Sequence, residues 1–409
     1  MYLHHNKELF KQVIIKASKQ MGISEAIIEK DYYVSVFLQE LSKNCPDVVF
    51  KGGTSLSKCY HVINRFSEDI DLNFDNQHKK PTESMRRAFG KAIITTGDTL
   101  GLEPINFDKK TLPYRKDYMK LEYSYPAIFP TIYLKPNLLV ETSVRSPSFP
   151  IEKREVTSLI EDYLISENRN DICEISGLNR FFIKTQSLDR TFTDKIFAVA
   201  DFYESNETER LSRHMYDLYK MRKHIDLSSE EYKALFSDVL LVRQLQPNNL
   251  SAQLNKNMIQ DLKQVLNLDY YKNDYINVTS KIIYEDVPYD VVKKNLLNLV
   301  SDIDDSKIYE NAKEHQIKIN KIAKNISNNL ETYNSKLESC LLTEDFQENI
   351  VIAKHKSSLL SELRQNIRAK MSGLNNQDIQ HISKLISPND KQLLDKYKIK
   401  LIDIEDISR

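Results

Sequence analysis

The chain has no tryptophan, only 8 glycines and only 4 cysteines in 409 residues. Cys45, Cys59, Cys173 and Cys340 form neither a Cys-x-x-Cys pair nor a Cys/His metal spacing, which excludes a zinc or disulfide framework legible from sequence. They read as reduced thiols of a cytosolic protein. No apolar run approaches the roughly 18–20 residues needed to span a bilayer. Met1 to Gln20 is largely polar with scattered charges, unlike a signal peptide. Net charge is missing too, since Lys+Arg and Asp+Glu are both 58. A zero balance excludes a chain coated in basic charge, but not a local basic patch. Few glycines, no tryptophan and many Lys, Asn, Ile and Tyr suggest an AT-rich bacterial genome.

What is present is a pattern with chemical content. Lys51-Gly52-Gly53-Thr54-Ser55-Leu56 is followed by Arg65-Phe66-Ser67-Glu68-Asp69-Ile70-Asp71-Leu72. Strand alternation sends Asp69 and Asp71 to one face. Two adjacent carboxylates repel unless a cation lies between them. Hard divalent cations held by one or two carboxylates plus substrate phosphates are the usual answer. The Gly-Gly turn supplies backbone N–H groups, two hydroxyls and room for a phosphate to come close. A phosphate cradle joined to a metal-binding acid pair suits nucleotidyl transfer. Taken alone, Asp-x-Asp also fits a surface strand whose carboxylates face water.

The length suggests two or three domains. Residues 5–43 read as helical, with Ser24 an N-cap and Ile27, Ile28, Tyr32, Val34, Phe37, Leu38 and Leu41 the apolar face of a second helix. Val48–Phe50 predicts a strand leading into the Gly-Gly turn, Leu56–Ile63 a helix and Asp69–Phe74 a strand. Ser84–Thr99 predicts a helix, and Tyr118–Tyr125 and Asn137–Val144 predict strands. This alternation up to residue 190 implies an α+β domain with a mixed sheet. Helices are expected at Thr191–Tyr203, Ser212–Lys223, Ser229–Leu240 and Asn255–Leu266. Ile319, Ile322, Ile326, Leu330, Tyr333, Leu337 and Leu341 recur at spacings of three and four. Leu360, Leu363 and Ile367 resume the pattern after a break near Thr343. Such a seam predicts a helical hairpin; self-association and contact with an RNA acceptor are its other uses. The expected domains are 1–190, 191–305 and 306–409.

Further candidates are weaker in isolation. Glu141, within Leu138–Val144, is an acid in an apolar strand and a candidate third carboxylate, able to hold a second metal ion and take a proton from an attacking hydroxyl. Glu122 is its rival on another strand. Lys195 and Asp217 lie on predicted helices, where a solvated lysine and an i,i+4 pair of Asp217 with Arg213 are the ordinary outcomes. His214 reads as a base, a surface residue or a phosphate contact. Lys79, Lys80, Arg86, Arg87, Lys109, Lys110, Arg115, Lys116 and Lys120, interleaved with Tyr114 and Tyr118, suit either a nucleic-acid backbone or plain solvation.

Ile28–Val34, Phe50–Lys58, Arg65–Asp71, Leu188–Lys195 and Arg213–Tyr219 together resemble the AbiEii/AbiGii toxin family of the polymerase-β-like nucleotidyltransferase superfamily, over roughly residues 20–300. The resemblance implies an N-terminal polymerase-β-like domain and a mainly helical C-terminal region. It gives Thr54 or Ser55 the triphosphate-holding hydroxyl, Asp69 and Asp71 the metal, and Lys195 and Asp217 the completion of the nucleotide site. Gly52, Gly53, Lys58 and Arg213 are then further nucleotide contacts. It implies a cytoplasmic, Mg²⁺-dependent toxin of a toxin–antitoxin or abortive phage-infection module, with Mn²⁺ an acceptable substitute. The substrates would be an NTP and an RNA acceptor, the tRNA 3′ end, with pyrophosphate released. The partner would be an antitoxin encoded nearby, and the protein a monomer or weak oligomer. The alternatives are a small-molecule or protein hydroxyl as acceptor, or a relative that binds without turnover.

Overall fold

The computed structural model describes residues 2–67, 69–75, 82–108, 118–131, 134–144, 148–244, 246, 248–253, 256–303, 305–372, 374 and 376–401. Glu68, Lys79, Lys80, Lys109, Lys110, Tyr114, Arg115 and Lys116, named above, lie outside them. The chain forms two compact units, Met1–Val239 with Gln246–Asp304 and Leu240–Leu245 with Asp305–Arg409.

In the first unit, helices α1 (Lys7–Met21) and α2 (Glu25–Asn44) precede strand β1 (Val48–Lys51), helix α3 (Gly52–Lys58) and strand β2 (Asp69–Phe74). Then come α4 (Glu83–Thr99), β3 (Glu103–Pro104), β4 (Tyr118–Ser124), β5 (Asn137–Ser143) and β6 (Ile151–Val156). The sheet closes with α5 (Leu159–Ser166), α6 (Asn170–Ser176) and β7 (Phe181–Gln186). Strand order is β3-β4-β5-β2-β1-β7-β6. β1 pairs parallel with β7, β2 parallel with β5, and the other pairs are antiparallel. The sheet is therefore mixed and the architecture α+β, as the alternation implies. Beyond it run α7 (Leu188–Glu204), α8 (Arg213–Met221), α9 (Glu230–Gln244), α10 (Met258–Asn267), α11 (Lys272–Asn277) and α12 (Tyr289–Asp302).

Alternation divides the sheet chemically. Ile70 and Leu72 of β2 and Leu138 and Val140 of β5 join a core with Phe10, Tyr32, Tyr33 and Phe37 of α1 and α2. Asp69, Asp71, Leu139 and Glu141 therefore occupy the other face. Two expectations change here. The helix expected over Leu56–Ile63 begins at Gly52 and ends at Lys58. The Gly-Gly segment is thus its first turn, and the N–H groups of Cys59 and Tyr60 both donate to the Ser55 carbonyl before His61 turns left-handed at φ 53°. Strand β6 escapes the sequence reading because Glu152, Lys153, Arg154 and Glu155 hide any apolar alternation in a charged edge strand.

In the second unit, α13 (Asp305–Ser339) and α14 (Phe346–Met371) pack with α15 (Asn376–Leu385) and α16 (Pro388–Lys396). Ile319, Ile326, Leu330, Leu363 and Ile367 are the centre of their core. Leu341, expected in the seam, is exposed between α13 and α14. Among the described residues no helix is long and apolar enough to cross a membrane.

Candidate active site

Glycine at position 52 is required by its backbone and by its neighbour. Its φ is +79°, and a Cβ built there would fall on the Asp71 carboxyl group. A Cβ at Gly53 would lie 2.8 Å from both Arg65 Nη2 and Ser67 Oγ. The first turn of α3 is thus packed against Asp71, Arg65 and Ser67. Replacing Gly52 with alanine is expected to push the Asp71 carboxylate aside and lower any nucleotidyl transfer about 100-fold or more. Initial rates on Gly52→Ala protein, with circular dichroism to show that it is folded, check this.

Lys51, Gly52, Gly53, Arg65, Ser67, Asp69, Asp71, Gln186, Thr191, Asp194, Lys195, Ala198, Arg213 and His214 line one cavity. β2 supplies Asp69 and Asp71, β1 supplies Lys51, α7 supplies Thr191, Asp194, Lys195 and Ala198, and α8 supplies Arg213 and His214. Lys51 stands opposite Asp71 in the β1–β2 register. Arg213 Nη2 is 3.9 Å from Asp69 Oδ2. Burial, reinforced by Asp69 and Glu141 and opposed by Lys51 and Lys195, pushes the Asp71 carboxyl up to about 6.

Asp217 is fully buried and is not among the cavity residues. Arg65 grips it with two bonds, Nε to Oδ1 at 2.7 Å and Nη2 to Oδ2 at 2.8 Å. Lys195 Nζ donates to the same Oδ2 at 2.6 Å. Burial would raise the Asp217 carboxyl, but the two cations outweigh it and hold the group well below the usual range. Asp217 is therefore a positioning residue that aims two cations at the cavity. The i,i+4 pair with Arg213 does not form, since Arg213 reaches toward Asp69 instead. Nothing in the sequence assigns Arg65 this role. Its backbone is also fixed, because Phe66 N–H donates to the Ile282 carbonyl at 2.9 Å and Tyr284 N–H to the Asn64 carbonyl at 2.9 Å.

Other expected residues lie elsewhere. The Thr54 hydroxyl is turned inward, donating to the Asp69 carbonyl at 2.5 Å, and the Ser55 hydroxyl donates to the Gly52 carbonyl at 2.9 Å. Neither lines the cavity, so both hydroxyls brace the loop from within. Lys58 is likewise withdrawn, with Nζ bonded to Asp31 Oδ1 at 2.6 Å and Ser35 Oγ at 2.7 Å. It ties α3 to α2. Glu141 stands beside Asp71 in the β2–β5 register but is paired with Lys120 at 3.0 Å. Glu122 lies on the far strand, bonded by Asn137.

The carboxylates of Asp69 and Asp71 offer oxygen donors, which suit Mg²⁺ or Mn²⁺. Among the described residues no three His, Cys, Asp or Glu side chains stand together to cage an ion. Asp69 and Asp71 fit the alternative, in which substrate phosphates complete the coordination.

The model of the nucleotidyl transferase AbiEii toxins of type IV toxin–antitoxin systems matches residues 36–295. The chain belongs to this family. No curated protein matches it. The AbiEii match includes every residue lining the cavity, together with Asp217, and ends before Asp305, where the long segment of the second unit begins.

Proposed function

We propose that this AbiEii-family protein transfers a nucleoside monophosphate from an NTP to the 3′ end of an RNA, tRNA in the first place, and releases pyrophosphate. It acts in the cytoplasm, restrained by a cognate antitoxin. The observation that carries the reading is the Asp71 carboxylate against Gly52 in a cavity that Lys51, Arg65, Lys195 and Arg213 also line.

Backbone N–H groups at the start of α3 receive the triphosphate. Asp69 and Asp71 would hold a divalent ion, which would supply positive charge to the triphosphate and acidify the acceptor hydroxyl. Glu141, once released by Lys120, accepts the proton of that hydroxyl. Arg65 and Lys195, held by Asp217, neutralise charge growing on the leaving pyrophosphate. The hydroxyl oxygen attacks the α-phosphorus in line with the departing oxygen. In this scheme residues 1–190 form the transferase domain, 191–305 complete its site and 306–409 are an extension.

Purified protein incubated with Mg²⁺, total RNA and each α-labelled NTP should label tRNA. Asp69→Asn protein should leave it unlabelled. Label on protein or a small molecule would change the acceptor. Full labelling by Asp69→Asn protein would overturn the scheme.

A further inference from the structure

Helices α7 and α8 meet along the cavity in a defined order. Lys195 of α7 touches Asp217 of α8 at 2.6 Å. One turn further along α7 is Ala198, and one turn back along α8 is His214. Both line the cavity. The next pairing is Phe202 with His214, whose rings stack with centroids 5.8 Å apart and planes 22° apart. The two helices therefore run antiparallel at the site. A step of about 5 Å along them leads from the buried ion network to a wall made of a methyl group and an imidazole backed by a phenyl ring.

His214 Nδ1 is buried and has no hydrogen-bond partner among the described residues. An orphaned buried N–H is rarer than an unmet acceptor, so the proton belongs on Nε2, the ring nitrogen that is not among the buried unpartnered atoms of this cavity-lining residue. Burial, with Lys195 and Arg213 nearby, keeps the ring neutral. A neutral donor adds little for a triphosphate already met by Arg65, Lys195 and Arg213. It matches an uncharged acceptor, such as a ribose hydroxyl oxygen or a base carbonyl.

We infer that His214 is the contact for the sugar–base end of the nucleotide and that the Ala198–His214 wall is the nucleoside subsite. This rests on the nucleotidyl-transfer reading above and deepens it. Triphosphate and nucleoside then occupy successive turns of the same two helices.

The test compares two probes on the full-length protein by calorimetry in Mg²⁺. One is a set of four non-hydrolysable NTP analogues; the other is inorganic tripolyphosphate. His214→Ala should weaken the preferred analogue about tenfold and leave tripolyphosphate within about twofold. His214→Gln, which keeps a donor, should recover part of the loss. A parallel measurement on unaltered protein needs no variant. The imidazole ¹⁵N signals of His214 should move with the analogue and stay fixed with tripolyphosphate. Equal weakening of both probes, no weakening of either, or unmoved signals would overturn the assignment. Failure of the unaltered protein to bind either probe would overturn the transfer reading with it, whereas tripolyphosphate binding at full NTP strength would overturn the subsite alone.

Discussion

Asp217→Asn protein is expected to lose about 3–5 kcal/mol of stability and about 10²–10³ of its transferase rate. The carboxylate is fully buried and is the shared counter-ion of Arg65 and Lys195. Asparagine keeps the volume but leaves two buried cations facing each other across an uncharged amide. Breaking a buried ion network by removing one partner is among the few substitutions with effects this large. The pH dependence carries the same signature. The folded carboxyl titrates well below its ordinary 3.8, so its contribution is present above about pH 4 and is lost as pH falls further. Urea unfolding at pH 7 should show the full deficit. The difference between the two proteins should shrink as pH drops below 4, where the unfolded chain's carboxyl takes up a proton that folding must expel. A deficit under 1 kcal/mol at pH 7 would mean that Arg65 and Lys195 find other partners, and Asp217 would lose its positioning role.

That network explains where the sequence stopped being informative. Asp69 and Asp71 are legible as acids of one strand face because a strand has a period of two and Ile70 and Leu72 are apolar, whereas the β2–β5 register is what chooses Glu141 over Glu122 as their neighbour. Nothing local reveals that Asp217 pairs with an arginine 152 residues away. On its own helix Arg213, four residues earlier, is the nearer mate, and only the loop bearing Arg65 displaces it. The same limit applies to Lys58 and Asp31. Both lie in stretches that carry the family resemblance, yet their common purpose appears only when α2 and α3 are side by side. There Asp31 accepts from Lys58 with one oxygen and from the Leu159 N–H with the other. Lysine next to a glycine-rich phosphate loop suggests a phosphate ligand, and here it anchors a helix. The hydroxyls of Thr54 and Ser55 mislead in the same way. A hydroxyl in a cradle suits a phosphate or the chain's own carbonyls, and the short α3 turns both inward. In the second unit the seam was readable because Ile319, Ile326 and Leu330 keep a helical period with no long-range partner needed to interpret it.

Asp71→Asn should separate function from stability in the opposite direction to Asp217→Asn. Transfer is expected to fall to background, because the amide has no charge to share with a divalent ion and the triphosphate. The same protein, free of metal, is expected to be more stable than the wild type at pH 7.5, by about 1–3 kcal/mol. The reason is that the folded protein holds this carboxyl at about 6, against 3.8 in the unfolded chain. Below pH 3.8 the group is protonated in both states and nothing is lost. As pH rises through 6 the folded state must ionise a recessed acid beside Asp69 and Glu141, and that share of stability disappears. Thermal melts in chelator should therefore place Asp71→Asn above the wild type at pH 7.5 and level with it near pH 4. Adding Mg²⁺ with a non-hydrolysable NTP should reverse the order at pH 7.5, since only the wild type gains from the ligand. A wild type more stable than Asp71→Asn in chelator at pH 7.5 would show that the lysines already neutralise the acid. Asp71 would then carry no unbalanced charge to draw a cation to the glycine turn.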